Sequence, residues 1–242
     1  MKKDNESTYM VHLNELRKRS IRILIAFILF LAVGFYATPT ILEIIKSTSL
    51  KVDLDLNIFH ITDSLYLYIK VSSLFSFIAV FPYCLLELWL FIEPGLSKKE
   101  KRFFLRYIPI ISILFIVGLL FAYFIIIPYY IMFSQKLATI NHLKIIIGAK
   151  EYIDFIIKII FPFGITFQLP IFVFVLSKIG IIHHQLLKLL KPYAYIVLLI
   201  ISACITPPDP VSMGIVFMPL AFLYEISIWI AKKIDRKRIN YL

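Results

Sequence analysis

The sequence predicts an all-α membrane protein with six transmembrane helices, and three observations predict it. Of its 242 residues, 60% are hydrophobic and only 17% charged, a balance that would leave a soluble domain with apolar runs on its surface. The apolar residues gather into six segments, near 21–38, 68–92, 107–131, 154–177, 193–206 and 211–231. None shows the alternation of a membrane barrel, and an isolated strand cannot satisfy its backbone in lipid, so each segment is expected to be a helix.

The first segment follows a polar stretch that reaches Ser20. Within it Met10, Leu13, Leu16 and Ile21 recur at helical spacing, so residues 1–20 are expected to lie along the interface before turning into the first span. A polar start predicts no cleavable signal peptide, which leaves membrane entry to the first span. The second helix has Asp63, in Ile61-Thr62-Asp63-Ser64, placed to cap it. Gly95 supplies a turn before the third, and Ser97 with Glu100 has the spacing of a capping box. The fourth carries Gln168 in Phe163-Gly164-Ile165-Thr166-Phe167-Gln168-Leu169-Pro170.

The last two segments flank Thr206-Pro207-Pro208-Asp209-Pro210 and are short. Tyr193 to Thr206 has 14 residues between prolines, roughly 21 Å of helix against a hydrocarbon core of roughly 30 Å. Val211 to Tyr224 is equally short before Glu225 interrupts it. A stunted pair of this kind implies a thinned bilayer or a recessed turn. Prolines stand in or beside nearly every span, at Pro82, Pro109, Pro128, Pro162, Pro170, Pro192 and Pro219. Each removes a backbone donor and invites a kink, so the helices are expected to bend around a concavity, as in a glove. No inverted repeat or long linker divides the chain. It reads as one domain, 1–242, with 232–242 as a basic tail.

The formal charge of +11 would point to nucleic acid in a soluble protein, but no nucleic-acid-reading motif accompanies it. Most of the 26 lysines and arginines instead crowd the N-terminal tail, the loops near 93–106 and 178–191, and the C-terminus. The loops near 39–67 and 132–153 hold few. Both termini are therefore expected to be cytoplasmic. Cys84 and Cys204 lie in apolar runs without CxxC spacing, which favours buried thiols over a redox or zinc pair.

Two acids stand on that basic face. Glu15, in His12-Leu13-Asn14-Glu15-Leu16-Arg17-Lys18-Arg19, and Glu100, in Pro94-Gly95-Leu96-Ser97-Lys98-Lys99-Glu100, would locally invert the field. Two such carboxylates are suited to grip two guanidinium groups by bidentate hydrogen bonds. The structural alternatives weigh more from spacing alone: Glu15 and Arg19 are four apart and can pair along a helix, and Glu100 can serve the capping box. The two roles are compatible. Gln168 is a polar group within a span, where Pro170 frees a carbonyl one turn earlier. Either Thr166 or Gln168 satisfies that local deficit, or Gln168 offers its amide to a polar residue on another chain's membrane helix.

Glu87 and Glu225 stand near the cytoplasmic ends of spans two and six, where water, Lys232 or Arg102 is in reach. Asp209 is placed to cap the sixth helix. His183-His184 reads as loop. The chain lacks GxxxxGK[ST], HExxH, GxSxG and a Ser/His/Asp set, so nucleotide hydrolysis or proteolysis has no visible basis, and no cofactor or metal is expected.

In their order along the chain these residues resemble the TatC family, the multi-spanning receptor subunit of the twin-arginine protein translocase. The resemblance runs through His12-Leu13 with Glu15-Leu16-Arg17, Phe91-Ile92 with Pro94-Gly95-Leu96, Glu100-Lys101-Arg102, and Phe121-Ala122-Tyr123-Phe124. It continues through Phe163-Gly164, Phe167-Gln168-Leu169-Pro170, Thr206-Pro207-Pro208-Asp209, Pro219 and Leu223-Tyr224-Glu225. It implies a concave six-helix receptor for the twin-arginine signal peptides of folded precursors, in a bacterial inner membrane or an organelle membrane. By that resemblance Glu15, Arg17, Leu96 and Glu100 belong to the signal site. Gln168 and Pro170, with Thr206, Asp209 and Met213 around the short hairpin, belong to contacts with single-span TatA- and TatB-type partners. Transport in the family draws on the proton-motive force, and several copies assemble with their partners and membrane lipid.

The sequence departs from the family at a few positions: Gln168 stands where many relatives have Glu, and Met213 replaces a frequent Gln. Loss of the carboxyl removes a titratable proton but keeps hydrogen bonding. Two other classes fit the residues less well. A secondary transporter of a small solute would need paired discontinuous helices or a midplane ion site, which only Gln168 approaches. A membrane enzyme would gather several acids or histidines at one interface, and here they are scattered.

Overall fold

The computed structural model describes residues 2–50, 56–92, 107–142, 146–206 and 209–239. Helix α1 spans Lys2–Leu50 and α2 Ile61–Ile92. Helix α3, Ile108–Phe121, passes through one π-helical turn, Ala122–Ile126, into α4, Ile127–Ile140. Helix α5, Ala149–Thr166, and α6, Leu169–Ile179, are separated by a turn at Phe167-Gln168. Helices α7, His184–Ile205, and α8, Pro210–Ile239, complete the chain. These make six apolar helical stretches long enough to cross a membrane, of 34, 31, 33, 31, 22 and 27 residues. In the most apolar part of each, only 11–44% of the residues are buried within the chain. Most strongly apolar side chains thus face outward, as lipid requires and water forbids.

Both irregularities inside spans lie just before a proline. The π turn ends two residues before Pro128, and the Phe167-Gln168 turn precedes Pro170. Each proline lacks the N–H that would close the preceding helical turn, so the ladder is re-made locally.

The chain forms two compact units, Met1–Thr48 with Ile58–Ser112, and Ser49–Asn57 with Ile113–Leu242. In the first, α1 and α2 approach closely at Gly34. A Cβ there would lie 2.9 Å from the Ser72 carbonyl oxygen and 3.0 Å from Phe75 Cδ1, so only a residue without one fits. Around this crossing the hydroxyls of Thr38, Ser72 and Ser76 are buried, yet each donates to a carbonyl of its own helix, at 2.6–2.8 Å. Such back-bonding satisfies small polar groups without a partner from elsewhere. Phe35 and Tyr68 pack with ring centroids 5.3 Å apart.

In the second unit α3 and α5 meet through two glycines. A Cβ on Gly118 would lie 2.8 Å from Cβ and Cγ of Phe167, and 3.0 Å from the Phe163 carbonyl oxygen. One on Gly164 would lie 2.7 Å from Leu119 Cδ2 and Phe115 Cε2. The obstacles differ in kind, which yields a prediction. Gly118→Ala presses on a Cβ and a backbone oxygen that cannot move away, and is expected to cost about 1–3 kcal/mol. Gly164→Ala meets side-chain atoms alone, a Leu119 methyl and the edge of the buried Phe115 ring, and is expected to cost less than Gly118→Ala. Thermal unfolding of the two purified variants in detergent checks the order, and equal losses would contradict this packing.

Two-residue strands β1, Leu56–Asn57, and β2, Ile147–Gly148, pair in parallel, Leu56 with Ile147 and Asn57 with Gly148. The pairing ties the residues just before α2 to those just before α5. Helix α8 packs most extensively on α6 and α7, around Val173, Leu187 and Ala231, with Ile182 and Ile228 at the edge.

Four expectations are corrected. No turn separates an interfacial segment from the first span: α1 runs unbroken for 49 residues, because residues 2–38 contain no Pro to interrupt it. Helix α7 is not stopped by Pro192 and reaches 22 residues. The carbonyl that Pro192 leaves without its helical donor belongs to Lys188, an exposed residue in the first part of the helix, where a missing bond costs less than in a buried stretch. The fifth and sixth spans remain the shortest of the six. Cys204 is exposed rather than buried, and Cys84 is half-buried; both are free thiols. His183-His184 is not simply loop, since His184 begins α7.

Candidate functional site

Helical spacing gathers the first cluster. On α1, residues 15, 19 and 22 fall on one face, and on α2 so do residues 83, 87 and 90. Arg19 joins the two helices. Its Nε donates to Glu15 Oε1 at 3.2 Å and its Nη2 to the same oxygen at 2.5 Å. Nη1 donates to Glu87 Oε2 at 3.0 Å, and Nη2 also reaches the Leu90 carbonyl at 3.0 Å. Glu87 Oε1 accepts from Arg22 Nη1 at 2.9 Å and from the Tyr83 hydroxyl at 2.8 Å. The Glu87 side chain is only 3% exposed, that of Arg19 13%, of Glu15 31% and of Arg22 50%. Burial of a carboxylate is costly unless paired, and Glu87 has two guanidinium groups and a phenol. Glu15 is the more accessible acid. Chemically, the cluster holds guanidinium by charge-assisted hydrogen bonds.

Arg17 is exposed on α1. Leu96 and Glu100, the other residues expected at this site, lie outside the described residues, as does the expected Ser97 capping box. Sequence reasoning found the Glu15/Arg19 spacing but expected Glu87 to reach for water, Lys232 or Arg102. Its described partners are Arg19, Arg22 and Tyr83, and only the four-residue spacing to Tyr83 was a local signal.

Gln168 sits in the turn between α5 and α6. Its backbone N–H bonds the Ile165 carbonyl at 3.0 Å rather than Gly164, and its side-chain Nε2 donates to the Gly164 carbonyl at 3.2 Å. The side chain thus replaces the helical donor that its own backbone withdraws. The bond is local but goes to Gly164 and not to the Thr166 carbonyl that Pro170 frees, and it uses only the NH2 end: Oε1 is buried without a hydrogen-bond partner among the described residues. Pro170, beside it, is buried at the start of α6.

Around the hairpin, most polar residues have structural work. Asp209 Oδ1 accepts the Ser212 backbone N–H at 2.8 Å, an N-cap for α8 with Pro210 in the first turn. The Thr206 hydroxyl donates to the Ser202 carbonyl at 2.9 Å and is buried. Met213 is half-buried. Asp63 caps α2 from the third helical position, accepting the His60 backbone N–H at 2.9 Å. Glu225 accepts the Tyr195 hydroxyl and lies 2.5 Å from Lys191 Nζ, so its described partners come from α7 and not from Lys232. Asp235 Oδ2 accepts the His184 backbone N–H at 2.7 Å and lies 2.8 Å from its ring Nδ1. That pair joins the start of α7 to the end of α8. No sequence spacing announces it.

These features define a class: a helical, multi-pass membrane protein whose charged groups pair near span ends, with one half-satisfied amide inside a span. Residues 11–219 match the family model described as Sec-independent protein translocase protein (TatC). The chain is 39% identical to the Sec-independent protein translocase protein TatC of Halalkalibacterium halodurans, over 97% of this chain and 92% of that one. It is 37% identical to TatCy of Bacillus subtilis, with the same coverage, and 36% identical to TatC of Aquifex aeolicus, over 94% and 95%. A crystal structure of the twin arginine translocase receptor TatC superposes with a TM-score of 0.83 at 35% identity, covering 93% of this chain and 99% of that one. The chain belongs to the TatC family and is a component of the Sec-independent protein translocase.

Proposed function

We propose that this chain acts as a single six-span receptor that recognises twin-arginine signal peptides and, with TatA- and TatB-type single-span partners, moves folded proteins across a bacterial inner membrane. Both termini lie in the cytoplasm, the proton-motive force drives transport, and the chain itself catalyses no reaction. Several copies work together in the complex. Glu15, Arg17, Leu96 and Glu100 bind the signal, with Glu15 and Glu100 taking the two guanidinium groups. The observation that carries this reading is the Glu15 carboxylate, accessible at 31% exposure and already holding a guanidinium through two N–H groups. The likeness to a crystallised twin arginine translocase receptor supports the same chemistry. The direct test is deletion of this chain while a twin-arginine reporter is followed. Export should stop, and export that continues with no second copy present overturns the reading.

Partner helices contact Gln168, Pro170 and the hairpin residues Thr206, Asp209 and Met213. The unpartnered Oε1 of Gln168 supports this, because a buried acceptor in lipid gains from a donor on an adjoining helix. Gln168→Leu removes that acceptor and is expected to reduce copurification of single-span partners severalfold, with signal crosslinking changed less. The interhelical bond is worth about 0.6–2 kcal/mol. A complex that copurifies intact in gentle detergent would remove Gln168 from the interface.

A further inference from the structure

The guanidinium held by Glu15 is the chain's own. An arriving twin-arginine signal must take a carboxylate that Arg19 already occupies. We infer that Arg19 is a built-in competitor for the signal site, one that sets the affinity a peptide must reach before Glu15 is released to it. The inference rests on the assignment of Glu15 to signal binding.

The geometry makes the exchange workable. Both donors from Arg19 end on one oxygen, Glu15 Oε1. The other, Oε2, has no hydrogen-bond partner among the described residues, so an incoming N–H group can land there first. When Arg19 lets go it is not orphaned: Nη1 stays on Glu87 and Nη2 on the Leu90 carbonyl. Glu87, buried and fixed by Arg22 and Tyr83 as well, is the anchor onto which Arg19 falls back. Release therefore breaks two bonds while leaving the buried carboxylate paired. Leaving an unpaired charge in its place would be far more costly.

Competition of this kind has a definite signature. The apparent dissociation constant is the intrinsic one divided by the fraction of molecules in which Glu15 is free. That fraction is a property of the chain, so it weakens every cationic peptide by the same factor. The ratio between an arginine and a lysine signal is set elsewhere, by the fork of the guanidinium against the point charge of the ammonium. What Arg19 changes is which peptides bind measurably at a given concentration. With Arg19 in place, a twin-lysine peptide falls below the threshold that a twin-arginine peptide clears.

The test uses membrane vesicles containing the whole translocase, with a photoreactive twin-arginine peptide and its twin-lysine counterpart titrated to half-maximal crosslinking. Arg19→Gln should tighten both peptides in parallel, by about threefold, with their ratio preserved. Arg19→Lys keeps the charge but loses the fork, and should give a smaller gain for both. Arg22→Gln removes an equal charge that touches Glu87 but not Glu15, and should gain less than about twofold. Weaker or unchanged binding in Arg19→Gln overturns the inference, as does a gain confined to one peptide. Equal gains in Arg19→Gln and Arg22→Gln, with Arg19→Lys like the wild type, also overturn it, since net charge would then suffice. If Arg19→Gln does not accumulate, Arg19→Lys decides alone: a parallel gain supports competition and no gain rejects it. Glu15→Gln separates the two readings. Undiminished binding of the twin-arginine peptide there rejects Glu15 as a signal residue, whereas loss there with no gain in either Arg19 variant rejects only the competitor.

Discussion

Glu87→Ala is expected to loosen the packing of α1 on α2 more than any other single change in that unit, by about 3 kcal/mol. The carboxylate is 3% exposed and accepts hydrogen bonds from Arg19, Arg22 and Tyr83. Its removal leaves the Arg19 guanidinium, itself 13% exposed, with Glu15 as its one remaining described carboxylate, and takes away the acid that bridged Arg19 to Arg22. Arg22 is half exposed and can turn to solvent. Arg19 keeps Glu15 but cannot turn away as freely, so the cost falls on its Nη1 and on the Tyr83 hydroxyl, which lose their acceptor inside the helix pair. Glu87→Gln keeps the volume and one acceptor for Tyr83, so its loss should be smaller. Thermal unfolding in detergent, read together with protection of α1 from protease, checks the order. A wild-type midpoint for Glu87→Ala would show that the ion pair contributes nothing and that Gly34 packing alone holds these helices.

The six spans were legible in the sequence because lipid imposes a one-dimensional rule: a helix must be apolar for long enough. Their ends were less legible, for a physical reason visible at Pro192 and Lys188. A helix does not stop where hydrophobicity does, and a proline in its exposed first part removes a bond whose loss costs less there than in a buried stretch. The caps at Asp63 and Asp209 were readable because capping is local, confined to three or four residues. The sequence points Gln168 at the carbonyl freed by Pro170, but its side chain bonds Gly164 instead, because its own backbone N–H switches to Ile165. The pairs Arg19–Glu87, Tyr195–Glu225 and His184–Asp235 join residues 68, 30 and 51 positions apart. Nothing local selects such partners: any of several basic residues near a span end would have satisfied the electrostatics, and only helix packing chooses among them. The same limit applies to the glycines. Gly34, Gly118 and Gly164 look alike in sequence, and their different obstacles appear only once the neighbouring helix is in place.

Charge reversal at Glu15 should have the largest functional effect. Glu15→Lys replaces the acceptor of two N–H groups with an ammonium beside Arg19, changing the local charge by two units. Loss of a charge-assisted pair, with repulsion added, corresponds to roughly a 100-fold or greater fall in affinity for a twin-arginine peptide. Glu15→Gln loses the charge but keeps an acceptor, and about a tenfold fall is expected. The fold should tolerate both. Glu15 and Arg19 are four apart on one helix, the acid is accessible, and pairs of that kind contribute only about 0.3–0.5 kcal/mol. Arg19 moreover keeps Glu87. Glu100→Lys should resemble Glu15→Lys in binding, since the second guanidinium of the signal is assigned to it. Crosslinking of a photoreactive signal peptide in membrane vesicles, with the amount of inserted protein measured in parallel, separates the two effects. A graded loss from wild type through Gln to Lys, at constant insertion, is what a guanidinium-binding carboxylate produces. Equal losses for Gln and Lys would instead mark a requirement for the shape of Glu15 within the helix pair, and undiminished crosslinking in Glu15→Lys would place the signal's arginines on other residues.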